Sequence, residues 1–217
     1  MAHLPAPQRF VELARDVDYV PVYRMLCSDA LTPVQAFKRL DEGQAACLFE
    51  SVVGGEKVGR YSFIAADPFA LLSARGSDVV LQRRNPDGTW DEQRSTVGNP
   101  LETLRGQVQS VRVADLDALH PFTGGAVGYA GYDAVRYVEH LPDAPEDDRL
   151  LPDLYFGLFD HMAVFDHVRK LVYVLVLADV GGKDEAGIRE AYDAACQRVD
   201  HYVARLDDAS ETLSLAD

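Results

Sequence analysis

A carboxylate and a hydroxyl sit side by side at Glu50-Ser51, directly after the apolar run Ala46-Cys47-Leu48-Phe49. Burying an ionised group without a partner is costly. An acid at the mouth of an apolar strand therefore suits a place that receives a cation or an amine. The chain then breaks at Gly54-Gly55, where positive φ is permitted, and returns as Tyr61-Ser62-Phe63-Ile64. Two apolar strands around a polar, glycine-rich turn make a β-ribbon over Ala46 to Asp67. A plainer arrangement uses the same residues: Glu50 pairs with Lys57 or Arg60 across the ribbon, and Ser51 caps a turn. On spacing alone, that plainer arrangement is favoured.

The second informative stretch is Pro121 to Glu139, PFTGGAVGYAGYDAVRYVE. Gly124-Gly125 and Gly128 let backbone approach backbone or a ligand. Neither GxxxxGK[ST] nor an ordered G-x-G-x-x-G is present, so nucleotide binding is set aside. The stretch reads as a tightly packed central strand with Tyr129 and Tyr132 as aromatic neighbours, one end lying near the pocket at the ribbon. Asp133 to Glu139 then turns helical, which makes Arg136 and Glu139 a local surface pair. His161 and His167 are isolated and read as exposed turn residues. Cys27, Cys47 and Cys196 have no metal-ligand spacing. They read as reduced thiols of a cytosolic protein, with Cys47 in the core. No HExxH, no Cys/His cluster and no nucleophile–base pair appears, so no cofactor is expected in this chain.

A formal net charge of −14 opposes nucleic acid, whose phosphates would repel the protein. No apolar run is long enough to span a bilayer. The start, MAHLPAPQRFVELARD, lacks the basic and apolar regions of a signal peptide, so a cytoplasmic protein is expected. With 47% hydrophobic residues, the 217-residue chain can bury a substantial core.

The ribbon must be held by a larger scaffold. Gln8 to Ala14 has the spacing of a short amphipathic helix. Tyr19 to Met25 reads as a strand at a sheet edge, because Pro21 lies within it. Thr32-Pro33 and Asn99-Pro100 each present a capping residue before a proline, the pattern that opens a helix. Strands are expected at Leu71 to Arg75, Val79 to Arg83 and around Trp90, with a turn at Asn85-Pro86-Asp87-Gly88. Val113 to His120 reads as an irregular surface connection. Leu154 to Phe159, Met162 to Asp166 and Leu171 to Ala178 read as a three-stranded meander. Lys183 to Asp207 carries Ile188, Ala191, Ala195, Val199, Tyr202 and Leu206 at spacings of three and four, a long helix whose apolar stripe covers a sheet. Strand runs broken by helices, with short connections and no composition shift, indicate an α+β fold and one domain over residues 1–217.

LFES followed by GGEKVGRYSFI resembles the amino-terminal domain of the anthranilate synthase large subunit, component I, which carries an LLES-type motif here. Val20 to Phe37, Pro121 to Glu139 and Leu151 to His167 agree in the same order. The resemblance implies antiparallel β-sheets packed face to face with flanking helices. It also implies that the motif lines a pocket for tryptophan, the feedback inhibitor. Leu48, Phe49 and Tyr61 would bury the indole, Glu50 would receive the ammonium, and Ser51 and Ser62 would donate to the carboxylate. Arg60 would add charge or pair with Glu50. In the family, chorismate and Mg²⁺ bind a carboxyl-terminal domain through motifs such as PIKGT. Neither that motif nor anything resembling that domain is recognised here. The resemblance therefore implies a regulatory domain that does not convert chorismate alone, partnered by the catalytic domain of this lyase and by a glutamine amidotransferase subunit. An aminodeoxychorismate synthase domain and a free-standing amino-acid sensor are the alternatives.

Overall fold

The computed structural model describes residues 2–50, 59–143 and 146–207. The strands form two five-stranded antiparallel sheets, each with its own helices, so the fold is α+β as expected. The chain divides into two compact units. The first comprises 1–67, 113–123 and 161–217, and the second comprises 68–112 and 124–160.

The first unit contains helix α1 (Pro7–Leu13), strand β1 (Tyr19–Cys27), helix α2 (Pro33–Leu40), and strands β2 (Ala46–Glu50) and β3 (Tyr61–Ala66). Strands β9 (His161–Asp166) and β10 (Leu171–Asp179) and helix α4 (Glu185–Asp207) complete it. The sheet order is β1-β10-β9-β3-β2, which puts β1 at an edge and explains how Pro21 is tolerated there. Thr32 opens α2 with a full capping box: its hydroxyl accepts from Gln35 N–H while the Gln35 side chain accepts from Thr32 N–H. Helix α4 is the long helix that the spacing predicts. Its Ala195, Val199 and Leu206 are buried with Phe10, Val22, Ile64, Phe165 and Val174 in one core. Near the end of α4, Arg205 donates to the carbonyls of Arg39 and Leu40, both at 2.9 Å, and so caps the exposed end of α2.

The second unit contains β4 (Ala70–Arg75), β5 (Asp78–Arg84), β6 (Trp90–Thr96), helix α3 (Pro100–Gln109) and β7 (Gly125–Ala130). A 3-10 helix (Tyr132–Tyr137) and β8 (Leu154–Phe159) follow. The sheet order is β6-β5-β4-β8-β7. Leu72, Val79 and Leu154 form its core, with Leu101 and Leu104 of α3 packed against them. The Asn85–Gly88 turn forms as read, with Gly88 N–H donating to the Asn85 carbonyl at 2.9 Å and Gly88 at φ +85°.

Three expectations are corrected here. The expected meander does not form: β8 pairs with β4 and β7, whereas β9 pairs with β10 and β3. Only Asp160 separates β8 from β9, too short a connection for a hairpin reversal, so the chain passes from one sheet to the other there. Strand β7 lies at an edge rather than in the centre, and Tyr132 beyond it is 88% exposed. Gly128 does allow backbone to approach backbone: a Cβ there would meet the Tyr155 carbonyl oxygen at 2.0 Å. Arg136 pairs with Asp133 at 2.8 Å, one 3-10 turn back, and not with Glu139.

Candidate functional site

The ribbon forms as β2 and β3, in a register that pairs Leu48 with Ile64, Phe49 with Phe63 and Glu50 with Ser62. Successive strand residues point to opposite faces. The proposed pocket residues are therefore divided between the two sides of the sheet. Leu48 and Ile64 face the helices and join their core. Ser62, on the same face, is 1% exposed, and its hydroxyl is 2.7 Å from His167 Nε2. Tyr61 and Phe63 lie on the other face, where both rings meet His120 edge-on at 4.8 and 4.9 Å. Phe49, across from Phe63, is 52% exposed. Glu50 is exposed at the end of the edge strand β2, opposite Ser62. Ser51, like Gly54, Gly55 and Lys57, lies outside the described residues.

Arg60 does not take Glu50 as the partner that the sequence reading offered it. Its guanidinium meets Asp166 at 2.7 Å and lies over the Tyr61 ring, 4.8 Å from the centroid. The register Tyr61↔Asp166 brings the pair together across β3 and β9. Asp166 is 1% exposed and also accepts from the N–H groups of Val168 and Arg169, at 3.1 and 3.0 Å. Burial alone would raise its pKa. The hydrogen bonds from Arg60 and the backbone, with the Arg60 charge, outweigh burial and hold it below the usual carboxylate range.

Of the two histidines read as exposed turn residues, His167 does open the turn between β9 and β10 but is not exposed, and His161 lies in a strand. His161 is 5% exposed within β9, stacked on Tyr202 with centroids 4.4 Å apart, and it accepts from Arg198 at 3.3 Å. It opens β9 immediately after the change of sheet, an event no local pattern announces. His167 is half-buried through its bond to Ser62. Cys47 is half-buried rather than in the core, and burial pushes its thiol pKa up.

On the Tyr61 face, a cavity of about 210 Å³ opens between the sheet and residues 117–120. Arg60, Arg169, Asp117, His120 and Tyr173 border it. Burial and the nearby Arg60 charge lower the His120 pKa. Its Nδ1 accepts from Phe122 N–H at 3.0 Å, so the ring is neutral with its proton on Nε2. The sequence reading missed Asp117, His120, Asp166, Arg169 and Tyr173. The one available signal was an acid closing the apolar run MAVFD, and its partner is identifiable only once β3 is paired with β9.

Among the described residues, no group of three or more His, Cys, Asp or Glu side chains is placed to hold a metal ion. They offer no carboxylate set that fits Mg²⁺. No helix among the described residues is long and apolar enough to cross a membrane.

The family model described as "chorismate binding enzyme" matches residues 45–214, and the chain belongs to that family. This match runs against the expectation that nothing in the chain resembles the chorismate-binding domain. Among individual proteins, anthranilate synthase component 1 of Acetivibrio thermocellus is 37% identical over 86% of this chain and 36% of its own length. Anthranilate synthase component 1 of Synechocystis sp. is 37% identical over 93% of this chain and 39% of its own. The chloroplastic anthranilate synthase alpha subunit 1 of Arabidopsis thaliana is 37% identical over 93% and 35%. A crystal structure of anthranilate synthase component I from Streptococcus pneumoniae aligns at 22% identity with a TM-score of 0.43, over 81% of this chain and 36% of that one. The chain thus spans little more than a third of the length of the curated relatives it matches.

Proposed function

We propose that this chain is the tryptophan-binding, feedback-regulatory amino-terminal part of an anthranilate synthase component I. In this reading it works in the cytoplasm beside a Mg²⁺-dependent chorismate-binding domain and a glutamine amidotransferase subunit, and does not turn over chorismate alone. The observation that carries the reading is the cross-strand pairing of Glu50 with Ser62. It sets an acid and a hydroxyl at one end of the ribbon, in a chain whose relatives are anthranilate synthase subunits. Glu50 receives the ammonium and Ser62 takes part in orienting the carboxylate. Leu48, Phe49, Arg60, Tyr61 and Ser51 belong to the same proposal. Because β2 and β3 turn their residues to both faces, the group acts around the end of the ribbon rather than as one flat wall. Micromolar affinity requires roughly −8 kcal/mol in total. Feedback further requires that tryptophan prefer one state of the whole enzyme.

The test is Glu50→Ala in a polypeptide extended to the full length of the relatives. Tryptophan sensitivity should fall at least about tenfold, the loss of one charge-assisted contact, while uninhibited turnover stays within about twofold. Equal loss of both points to a folding role. A second reading is favoured by the family match over residues 45–214, namely that this chain itself contributes to chorismate binding. Calorimetry of the 217-residue chain with chorismate and with tryptophan separates the two readings. Product analysis of the extended enzyme separates anthranilate from aminodeoxychorismate synthesis.

A further inference from the structure

We propose that the outer edge of β7 takes up an extended, basic segment of a partner protein as an added strand, with the lysine or arginine side chains of that segment reaching the acidic cleft at the end of β7. The surface lies wholly within the second unit and uses none of the residues assigned to tryptophan.

The backbone supplies the docking edge. Gly131 N–H donates to the Asp153 carbonyl at 2.7 Å, in step with the register that pairs Ala130 with Leu154. Hydrogen-bonding direction alternates along an antiparallel strand. Val127 and Tyr129 therefore turn their N–H and C=O groups to β8, and Ala126, Gly128 and Ala130 turn theirs outward. Among the described residues no strand meets that outward edge. Exposed edges are ordinarily blunted by charged side chains, by proline or by a covering element. The opposite edge of the same sheet follows that rule: β6 reads WDEQRST, with Asp91, Glu92 and Arg94 along it. Strand β7 reads GAVGYA, with neither a charge nor a proline. One edge of this sheet is defended against added strands and the other is not.

Charge selects the occupant. Where β7 ends, at Tyr129 to Tyr132, an open cleft of about 870 Å³ begins. Two of the arginines lining it are already matched: Arg75 meets Asp147 at 3.2 Å and Arg136 meets Asp133 at 2.8 Å. Asp78, Glu146, Asp148 and Asp153 are then set against one further guanidinium, that of Arg149. The cleft is therefore net acidic, in a protein whose formal net charge is −14. Tyr132 is 88% exposed beside these acids, and an aromatic face attracts a lysine or arginine head. A second copy of the chain could pair β7 with β7 about Gly128, placing Ala126 opposite Ala130. That pairing would bring two acidic clefts together, and like charges oppose it. A basic strand meets no such opposition.

The probe is a blocked peptide of six residues, the length of β7, that alternates lysine with valine. Its counterpart alternates glutamate with valine. Calorimetry of the 217-residue chain should detect the lysine peptide and not the glutamate peptide, and added salt should weaken the binding. At saturating lysine peptide, hydrogen exchange at the Ala126, Gly128 and Ala130 amides should slow at least about tenfold, with the β6 amides unmoved. Ala130→Pro removes an outward N–H that the pairing with β8 does not use, and should weaken the lysine peptide at least about threefold, the scale of one hydrogen bond. Glu146→Gln combined with Asp148→Asn should weaken it by a similar factor, about threefold. Both positions are exposed, so this variant decides the matter even if Ala130→Pro fails to fold. Silence from the lysine peptide would overturn the proposal, as would equal binding of the glutamate peptide or binding that leaves the β7 amides unprotected. A concentration-dependent dimer that protects those amides without any peptide would assign the edge to a second copy instead. None of these measurements uses tryptophan, so their outcome is separable from that of the Glu50 test.

Discussion

At the scale of single residues, Asp166 concentrates more of the chemistry than any residue the sequence reading selected. It is ionised, buried and bonded to Arg60 and to two backbone N–H groups. Its folded-state pKa lies below the unfolded value of about 3.9. Ionisation therefore favours the folded state: the contribution is complete above about pH 5 and is lost as pH falls through 4 toward the folded value. Asp166→Asn should lower stability by about 1–3 kcal/mol at pH 7, the cost of leaving buried donors poorly paired. In urea titrations the gap to wild type should narrow as pH falls below about 4, and a gap of constant size would show that packing, not charge, holds the residue. His120 has the same sign at higher pH, since its lowered pKa means stability is lost as pH drops below about 6.5. The sequence marked Arg60, Tyr61 and Ser62 as site residues only through the family resemblance, without naming the partners they find in the fold. It could not identify those partners, since Asp166 and His167 lie more than a hundred residues away and are set by the register of β3 on β9.

At the scale of elements, the local signals were sufficient wherever the physics is local. The Thr32 and Asn99 caps, the edge proline in β1 and the apolar stripe of α4 all appear where capping, φ restriction and helical periodicity put them. The errors arise where pairing is non-local. Three apolar runs with short links resemble a meander, but membership of a sheet depends on strands far away in the chain, and β8 and β9 part company. The central position expected for β7 fails for a related reason: its apolar composition reads as burial, yet its outer edge has no strand partner among the described residues. Gly128 gives the element its clearest test. Any Cβ there would press on the Tyr155 carbonyl and the Phe156 Cα, which are backbone atoms with no rotamer to yield. Gly128→Ala should cost at least about 2 kcal/mol, in the range of overpacked sites, and should reduce amide protection along β7 and β8 before β4 and β5. A neutral effect would mean that β7 detaches at little cost.

At the scale of the whole molecule, each unit is assembled from separated stretches of chain, which explains why no linker was visible in the sequence. The second unit has its own core around Leu72, Val79 and Leu154, all of it before His161. A chain truncated after Asp160 should therefore keep protected amides in β4, β5 and β8 while β1 and β2 exchange freely. Loss of protection throughout would show that the second unit depends on the first. The pairing of β1 with β10 has a consequence for synthesis. As the polypeptide leaves the ribosome, Tyr19–Cys27 emerges early but has no neighbouring strand until Leu171–Asp179 follows it out. Throughout that interval the hydrogen-bonding edge of this valine- and tyrosine-bearing strand stays open to wrong pairing with other chains.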